Sequence, residues 1–150
     1  MARQKVVLAD ASALIGLARI DGLAWLRELY RSISITKAVR AEATADRGKP
    51  GAIAISSALK EGWIKVLLRE RLEPPLPRLD QGEASTLRAA LALRPAVLVL
   101  VDDLQARREA RRLGLAMTGT VGIVTEARRA GLITAARPVL ERLAGARVPC

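Results

Sequence analysis

The strongest signal along the chain is an uninterrupted apolar run, Ala96–Val101, directly after Pro95. A strand covered on one face alternates apolar and polar residues. A run without any polar position fits a central strand covered on both faces. Shorter β-rich runs lie at Lys5–Ala9, Ser32–Ile35, Ile64–Leu68 and Leu115–Thr118. Between them the period changes from two to three and four. Leu14, Ile15, Leu17 and Ala18 share one face of a helix predicted over Ala11–Ile20. Further helices are predicted over Leu23–Tyr30, Lys37–Ala45, Ala52–Glu61, Gln81–Leu93, Leu104–Leu113, Val121–Ala130 and Ala135–Ala144. Their punctuation is explicit. Thr36, Asp80 and Thr120 are placed to cap helix starts, Gly48-Lys49-Pro50-Gly51 closes the third helix, and Gly62, Gly114 and Gly131 close others. Residues 73–79 carry Pro74, Pro75 and Pro77, which remove amide donors, so a surface loop is expected there.

Strands that alternate with helices build an α/β three-layer sandwich around a central, mainly parallel five-stranded sheet. With 150 residues the chain is expected to be one domain, 1–150, large enough for its own core. Trp63 is expected beside the third strand, and Trp25, with Leu23 and Leu26, in the core or on a dimer face. In open α/β sheets, ligands bind beyond the carboxyl ends of the strands. That rule directs attention to the residues that follow each strand.

Composition narrows the chemistry those residues can perform. The chain has no His, and its one Cys is Cys150. Disulfides, Cys/His zinc sites, Ser–His–Asp triads and Cys–His nucleophiles are thereby excluded. Phe is absent and only Trp25, Tyr30 and Trp63 are aromatic, which argues against a base-stacking platform. The balance of 25 Lys+Arg against 15 Asp+Glu gives +10, mostly as arginine. An arginine-rich chain suits phosphate-bearing partners, nucleic acid above all, although a compositional bias that serves solubility gives the same count. No apolar run approaches the ~20 residues that span a bilayer. Asp10 interrupts the first one too early for a signal peptide. A soluble, cytoplasmic protein is expected, in keeping with a lone thiol.

Acid–base or metal chemistry must therefore run on carboxylates. Asp10 ends the first strand, and Asp102 and Asp103 end the fourth. Glu42 lies three residues past Val39; if Val39 points into the core, Glu42 points inward near the top of the sheet. Glu83 starts the helix that leads into the fourth strand. Each has a plainer role open to it. Asp10 and either Asp102 or Asp103 can cap helices, Asp80 and Glu83 fit a capping box, and Glu42 can be solvated. Capping does not, however, require acids from four segments to converge. Like charges brought together raise one another's pKa unless a cation sits among them. Oxygen ligands suit Mg²⁺ or Mn²⁺. The loop after the first strand, Asp10-Ala-Ser-Ala-Leu, lacks the glycine fingerprint of a nucleotide binder.

Four stretches, VVLADASALIGLARI, SITKAVRAE, LDQGEASTLRAA and VLVLVDDLQARREARRLGL, resemble in order and spacing the PIN-domain nuclease superfamily, which includes VapC-type toxins. The tail MTGTVGIVTEARRAGLI resembles a prokaryotic branch of predicted nucleic-acid-binding PIN proteins. The resemblance implies a PIN-like fold and a Mg²⁺- or Mn²⁺-dependent ribonuclease that hydrolyses single-stranded or looped RNA. It maps the catalytic acids onto Asp10, Glu42, Glu83 and Asp102, and the metal ligands onto Asp10, Glu42, Asp102 and Asp103. Ser12 matches the small polar residue beside the first acid, where the resemblance implies contact with the nucleic acid. At the third acidic place many toxins carry Asp; the longer Glu83 implies action through water. The resemblance further implies a homodimer and, for a toxin of a toxin–antitoxin pair, a small antitoxin protein as partner.

RNA phosphates need cations beside the acids. Arg107 with Arg111 and Arg108 with Arg112 form two i,i+4 stripes on the helix that leaves Asp103. Of these, Arg107, Arg108 and Arg111 are the phosphate candidates, with Arg107 nearest the acids. A solvated face partly neutralised by Glu109 is the plain alternative, and Lys37 and Arg40 are weaker candidates. Gly119-Thr120-Val121-Gly122 is either an amide cradle for phosphate or a simple turn capped by Thr120. A non-catalytic nucleic-acid-binding module, with the acids purely structural, remains the alternative function.

Overall fold

The computed structural model describes residues 5–49 and 51–147; Pro50, Cys150 and the basic opening at residues 1–4 lie outside it. Five strands, β1 (Val6–Ala9), β2 (Ile33–Ile35), β3 (Ile64–Val66), β4 (Val97–Leu100) and β5 (Met117–Thr118), form a parallel sheet in the order β3-β2-β1-β4-β5. Among the described residues, eight helices surround it: α1 (Ala11–Arg19), α2 (Leu23–Tyr30), α3 (Lys37–Thr44), α4 (Ala52–Glu61), α5 (Gln81–Leu93), α6 (Leu104–Arg112), α7 (Thr120–Arg129) and α8 (Ala136–Arg147). The expected α/β sandwich is the observed one.

The period of two along each strand divides the core into two layers. Val7, Ala9, Ile33, Ile35 and Leu100 pack with Leu14 and Leu17 of α1, Val39 of α3, Ile55 of α4 and Ile123 of α7. Leu8, Val97, Val99 and Val101 face the other way, onto Leu87 and Ala90 of α5 and Ala106 and Ala110 of α6. The apolar run at β4 is thus covered on both sides, as its composition required. Trp63 is buried in the first layer and Trp25 packs half-buried against it.

Several strands are shorter than their apolar runs. β3 was expected to reach Leu68 but stops at Val66. Its partner β2 ends at Ile35, whose carbonyl accepts the Leu67 N–H at 2.8 Å. Among the described residues no strand pairs Leu68, which is 86% exposed. Residues 67–80 contain no helix or strand, as their prolines dictate. Among the described residues no helix is long and apolar enough to cross a membrane.

Candidate active site

The parallel register brings the strand-end residues together. Leu8 is level with Ser34, Ala9 with Leu100, and Leu100 with Thr118. Two residues beyond each pairing, the chain must place Asp10 beside Thr36 and Asp102 beside Thr120. β1 and β4 are neighbours at the point where the strand order reverses, the switch-point crevice of open α/β sheets. The Asp10 N–H donates to the Leu100 carbonyl at 2.9 Å, which fixes the first acid in that crevice.

Asp10 is 2% exposed and does not use its side chain to cap α1. Its Oδ2 accepts a 3.0 Å hydrogen bond from the Ser12 hydroxyl, while Oδ1 is buried with no partner. A buried, half-satisfied carboxylate is costly, and helix capping does not explain it. Burial above all, with repulsion from Glu42 and Asp80, pushes its pKa up to about 6, against the pull of the Ala11 N–H and the Ser12 hydroxyl.

Glu42 differs from expectation. Val39 is fully buried, but Glu42 is exposed at the rim. Three residues along a helix is about 60° short of a full turn, enough to swing its side chain from the core to the edge. The carboxylate still reaches the crevice. A Cβ built on Gly82 would stand 3.4 Å from Glu42 Oε2, 3.6 Å from Asp10 Oδ1 and 3.6 Å from Asp80 Oδ1. Only the missing side chain leaves that space between three acids. Desolvation and the charge of Asp80 raise the Glu42 pKa, with Lys49 opposing.

Asp80 and Glu83 form the expected capping box: the Glu83 N–H donates to Asp80 Oδ1 at 2.8 Å, and the Asp80 N–H to Glu83 Oε1 at 3.2 Å. Both also belong to the acidic group. Glu83 is 8% exposed, and burial, with repulsion from Asp80, Asp103 and Asp10, pushes it up to about 7. The helices that carry these acids are joined. Thr36 accepts the Val39 N–H to cap α3 and meets Ser85 Oγ at 2.6 Å, while Ser85 donates to the Gly82 carbonyl. The bonding that satisfies both hydroxyls has Thr36 donating to Ser85.

Asp102 sits on the opposite side of the crevice, between β4 and α7. Thr120 was expected to cap α7. It is instead the first helical residue, Gly119 takes the cap position, and the Thr120 side chain turns inward. Its N–H donates to Asp102 Oδ1 at 2.7 Å and its hydroxyl donates to Asp102 Oδ2. The close approach of α1 depends on Gly16, whose Cβ would lie 3.2 Å from Thr120 Oγ1 and 3.5 Å from Asp102 Oδ2. Asp103 caps α6 by accepting the Ala106 N–H. Among the described residues, no three acids hold one ion as they stand. The oxygens stand 3.4–3.6 Å from the point above Gly82, farther than the ~2.1 Å of Mg²⁺–oxygen ligation, so side-chain rotation must bring them closer to an ion held there.

The family model of the DUF3368 PIN domain matches residues 6–149. The chain belongs to the PIN-domain family. The fold is also similar to that of a PilT N-terminus domain protein from the hyperthermophilic archaeon Sulfolobus solfataricus P2, at 20% identity, TM-score 0.63, and coverage of 81% of this chain and 92% of that chain. No curated protein matches. PIN domains are generally nucleases, commonly dependent on divalent metals. This PIN domain gathers Asp10, Glu42 and Glu83 with Asp80, an acid whose capping role hid its second position. The orphaned Asp10 Oδ1 and the space above Gly82 fit a small cation, and the all-oxygen donor set fits Mg²⁺ or Mn²⁺.

The arginines of α6 divide. Arg107 is half-buried and donates to the Val101 carbonyl at 2.9 Å, so its first duty is to brace the end of β4. Arg112 pairs with Glu109, and Arg108 and Arg111 are exposed. Lys37 and Arg40 are exposed on α3.

The Thr120 contact carries a prediction. Thr120→Val keeps the buried volume and the backbone N–H but removes the hydroxyl that holds Asp102. If the acids hold a metal ion that drives cleavage, the rate should fall about 10–100-fold with little loss of thermal stability, as for groups that orient a metal ligand. Equal cleavage rates for variant and parent would deny Thr120 that role.

Proposed function

We propose that this PIN domain is a divalent-metal-dependent endoribonuclease that cleaves phosphodiester bonds in exposed, single-stranded RNA. The observation that carries this is the buried, unpartnered Oδ1 of Asp10, turned toward the Gly82 space that Glu42 and Asp80 also border. Asp10 and Glu42, with Asp80 beside them, would hold Mg²⁺ or Mn²⁺ at that space, and Asp102 and Asp103, from the other side of the crevice, would complete the ligand set. A bound ion supplies charge neutralisation and activation of water for in-line attack at phosphorus. Ser12 and Thr120 orient Asp10 and Asp102. Glu83, with its pKa near 7, is matched to proton transfer at the working pH. Arg108 and Arg111 offer cations to the RNA backbone, with Arg107 beside them. A cytoplasmic, homodimeric toxin with an antitoxin partner extends this proposal, supported by the motif resemblance to VapC-type toxins.

Labelled RNA incubated with the protein and Mn²⁺ tests the proposal. Cleavage that a chelator abolishes is expected. Chelator-insensitive cleavage would reject the metal, and tight binding with no cleavage under any divalent ion would leave a binding module.

Gly82 offers a sharper probe. Gly82→Ala puts a methyl group into the space between the three acids at ordinary contact distances. The variant should fold as stably as the parent, since Gly within a helix costs roughly 0.5–1 kcal/mol relative to Ala. Cleavage should drop at least about tenfold because the acids can no longer close. Parent-like kinetics with Mn²⁺ in Gly82→Ala would place the ion elsewhere.

A further inference from the structure

An open cavity of about 340 Å³ adjoins the acids and leads away from them. Its floor at one end is Asp102 and Asp103. One wall is a single stripe of α1, Ser12, Ile15, Gly16 and Arg19, and the facing wall is Leu143 of α8. The stripe begins where Ser12 bonds Asp10 and ends at Arg19, about 10 Å further along the helix axis. The wall is preformed: Leu143 and Val139 are buried, and the Arg142 guanidinium donates to the Ile20 carbonyl, which fastens α8 to the end of α1. Arg19 is exposed and, among the described residues, its guanidinium has neither an ion-pair nor a hydrogen-bond partner.

The chemistry therefore runs in sequence: carboxylates, an apolar middle between Ile15 and Leu143 deepened by Gly16, then a cation. A free anion has no use for the apolar middle, and an apolar ligand has none for Arg19. A nucleotide within a strand matches the whole order, with one phosphate at the acids, a sugar and base in the middle, and the next phosphate at the guanidinium. We propose that this cavity seats the nucleotide adjacent to the scissile phosphate and that Arg19 pairs with the phosphate on its far side. This rests on the nuclease proposal above.

Steady-state cleavage of a labelled single-stranded RNA with Mn²⁺ tests it in the full chain. Arg19→Gln should raise KM about tenfold with kcat within about twofold, while Arg128→Gln, at the far end of α7, should change neither. Oligonucleotides carrying one uncharged methylphosphonate should show a single position near the cut where KM rises in the parent but not further in Arg19→Gln. An Arg19→Gln variant with parent KM, or a methylphosphonate penalty that persists in it, would overturn the assignment. If no RNA is cleaved under any divalent ion, the nuclease proposal fails, and fluorescence anisotropy with the same oligonucleotides decides the cavity separately. Binding that weakens in Arg19→Gln and loses its methylphosphonate sensitivity keeps the nucleotide seat; unchanged binding removes it.

Discussion

Asp10→Asn is expected to abolish cleavage, on the order of a thousandfold or more, and at the same time to make the metal-free protein more stable. The two effects have one cause. Asp10 is buried, accepts a side-chain hydrogen bond from Ser12, and faces two further carboxylates. Its ionised form is disfavoured enough to lift the pKa from 3.8 to about 6, so at neutral pH the folded chain carries a penalty of up to about 3 kcal/mol at this position. Asn has the same shape, still accepts from Ser12 through its carbonyl, and presents an amide donor where Oδ1 is orphaned. Thermal melting in chelator at neutral pH should therefore rise by several degrees. A structural acid behaves oppositely, since removal of a helix cap costs about 1 kcal/mol of stability and lowers the melting temperature. Destabilisation of Asp10→Asn with cleavage retained would return Asp10 to a structural role.

The second large effect is a stability that falls with pH until metal restores it. Burial raises Asp10 from 3.8 to about 6 and Glu83 from 4.5 to about 7. Between about pH 4 and 7 the unfolded chain has lost these protons while the folded chain still holds them. The folded state thus binds more protons in that window, and unfolding free energy decreases as pH rises. Stability from these groups is fully present below about pH 4 and lost on passing the folded pKa values. Mg²⁺ or Mn²⁺ competes for the deprotonated oxygens, so added metal should raise the melting temperature strongly above about pH 7 and little near pH 5. In Asp10→Asn both the slope and the metal response should shrink. A melting temperature that climbs between pH 4 and 7 without metal, or a metal response equal at both ends, would contradict this account.

The elements were legible because their signals are local. The β4 run has no polar position, since a strand covered on both faces leaves none to water. The caps at Thr36 and Asp80 and the left-handed stop at Gly62, with φ 89°, obey backbone rules that operate within one turn. Site residues that misled did so because one residue can satisfy two demands. Asp80 is a genuine cap, and that sufficient local explanation concealed its place beside Asp10. Thr120 looked like a cap for the same reason, yet its hydroxyl serves an acid eighteen positions away. The pairing of Leu100 with Thr118 would have predicted it, but register is a property of neighbouring strands.

Residue types and their order were enough to dictate an α/β sandwich and to confine its chemistry to carboxylates at strand ends. Periodicity and capping act over a few residues, and the absence of His is absolute. Which oxygens face one another was settled only when the strands aligned and the helices docked. The rim position of Glu42, the empty spot above Gly82, the grip of Thr120 on Asp102 and the bracing of β4 by Arg107 all arise between segments distant along the chain. Such contacts depend on packing distances of a few ångströms, and no local pattern encodes those.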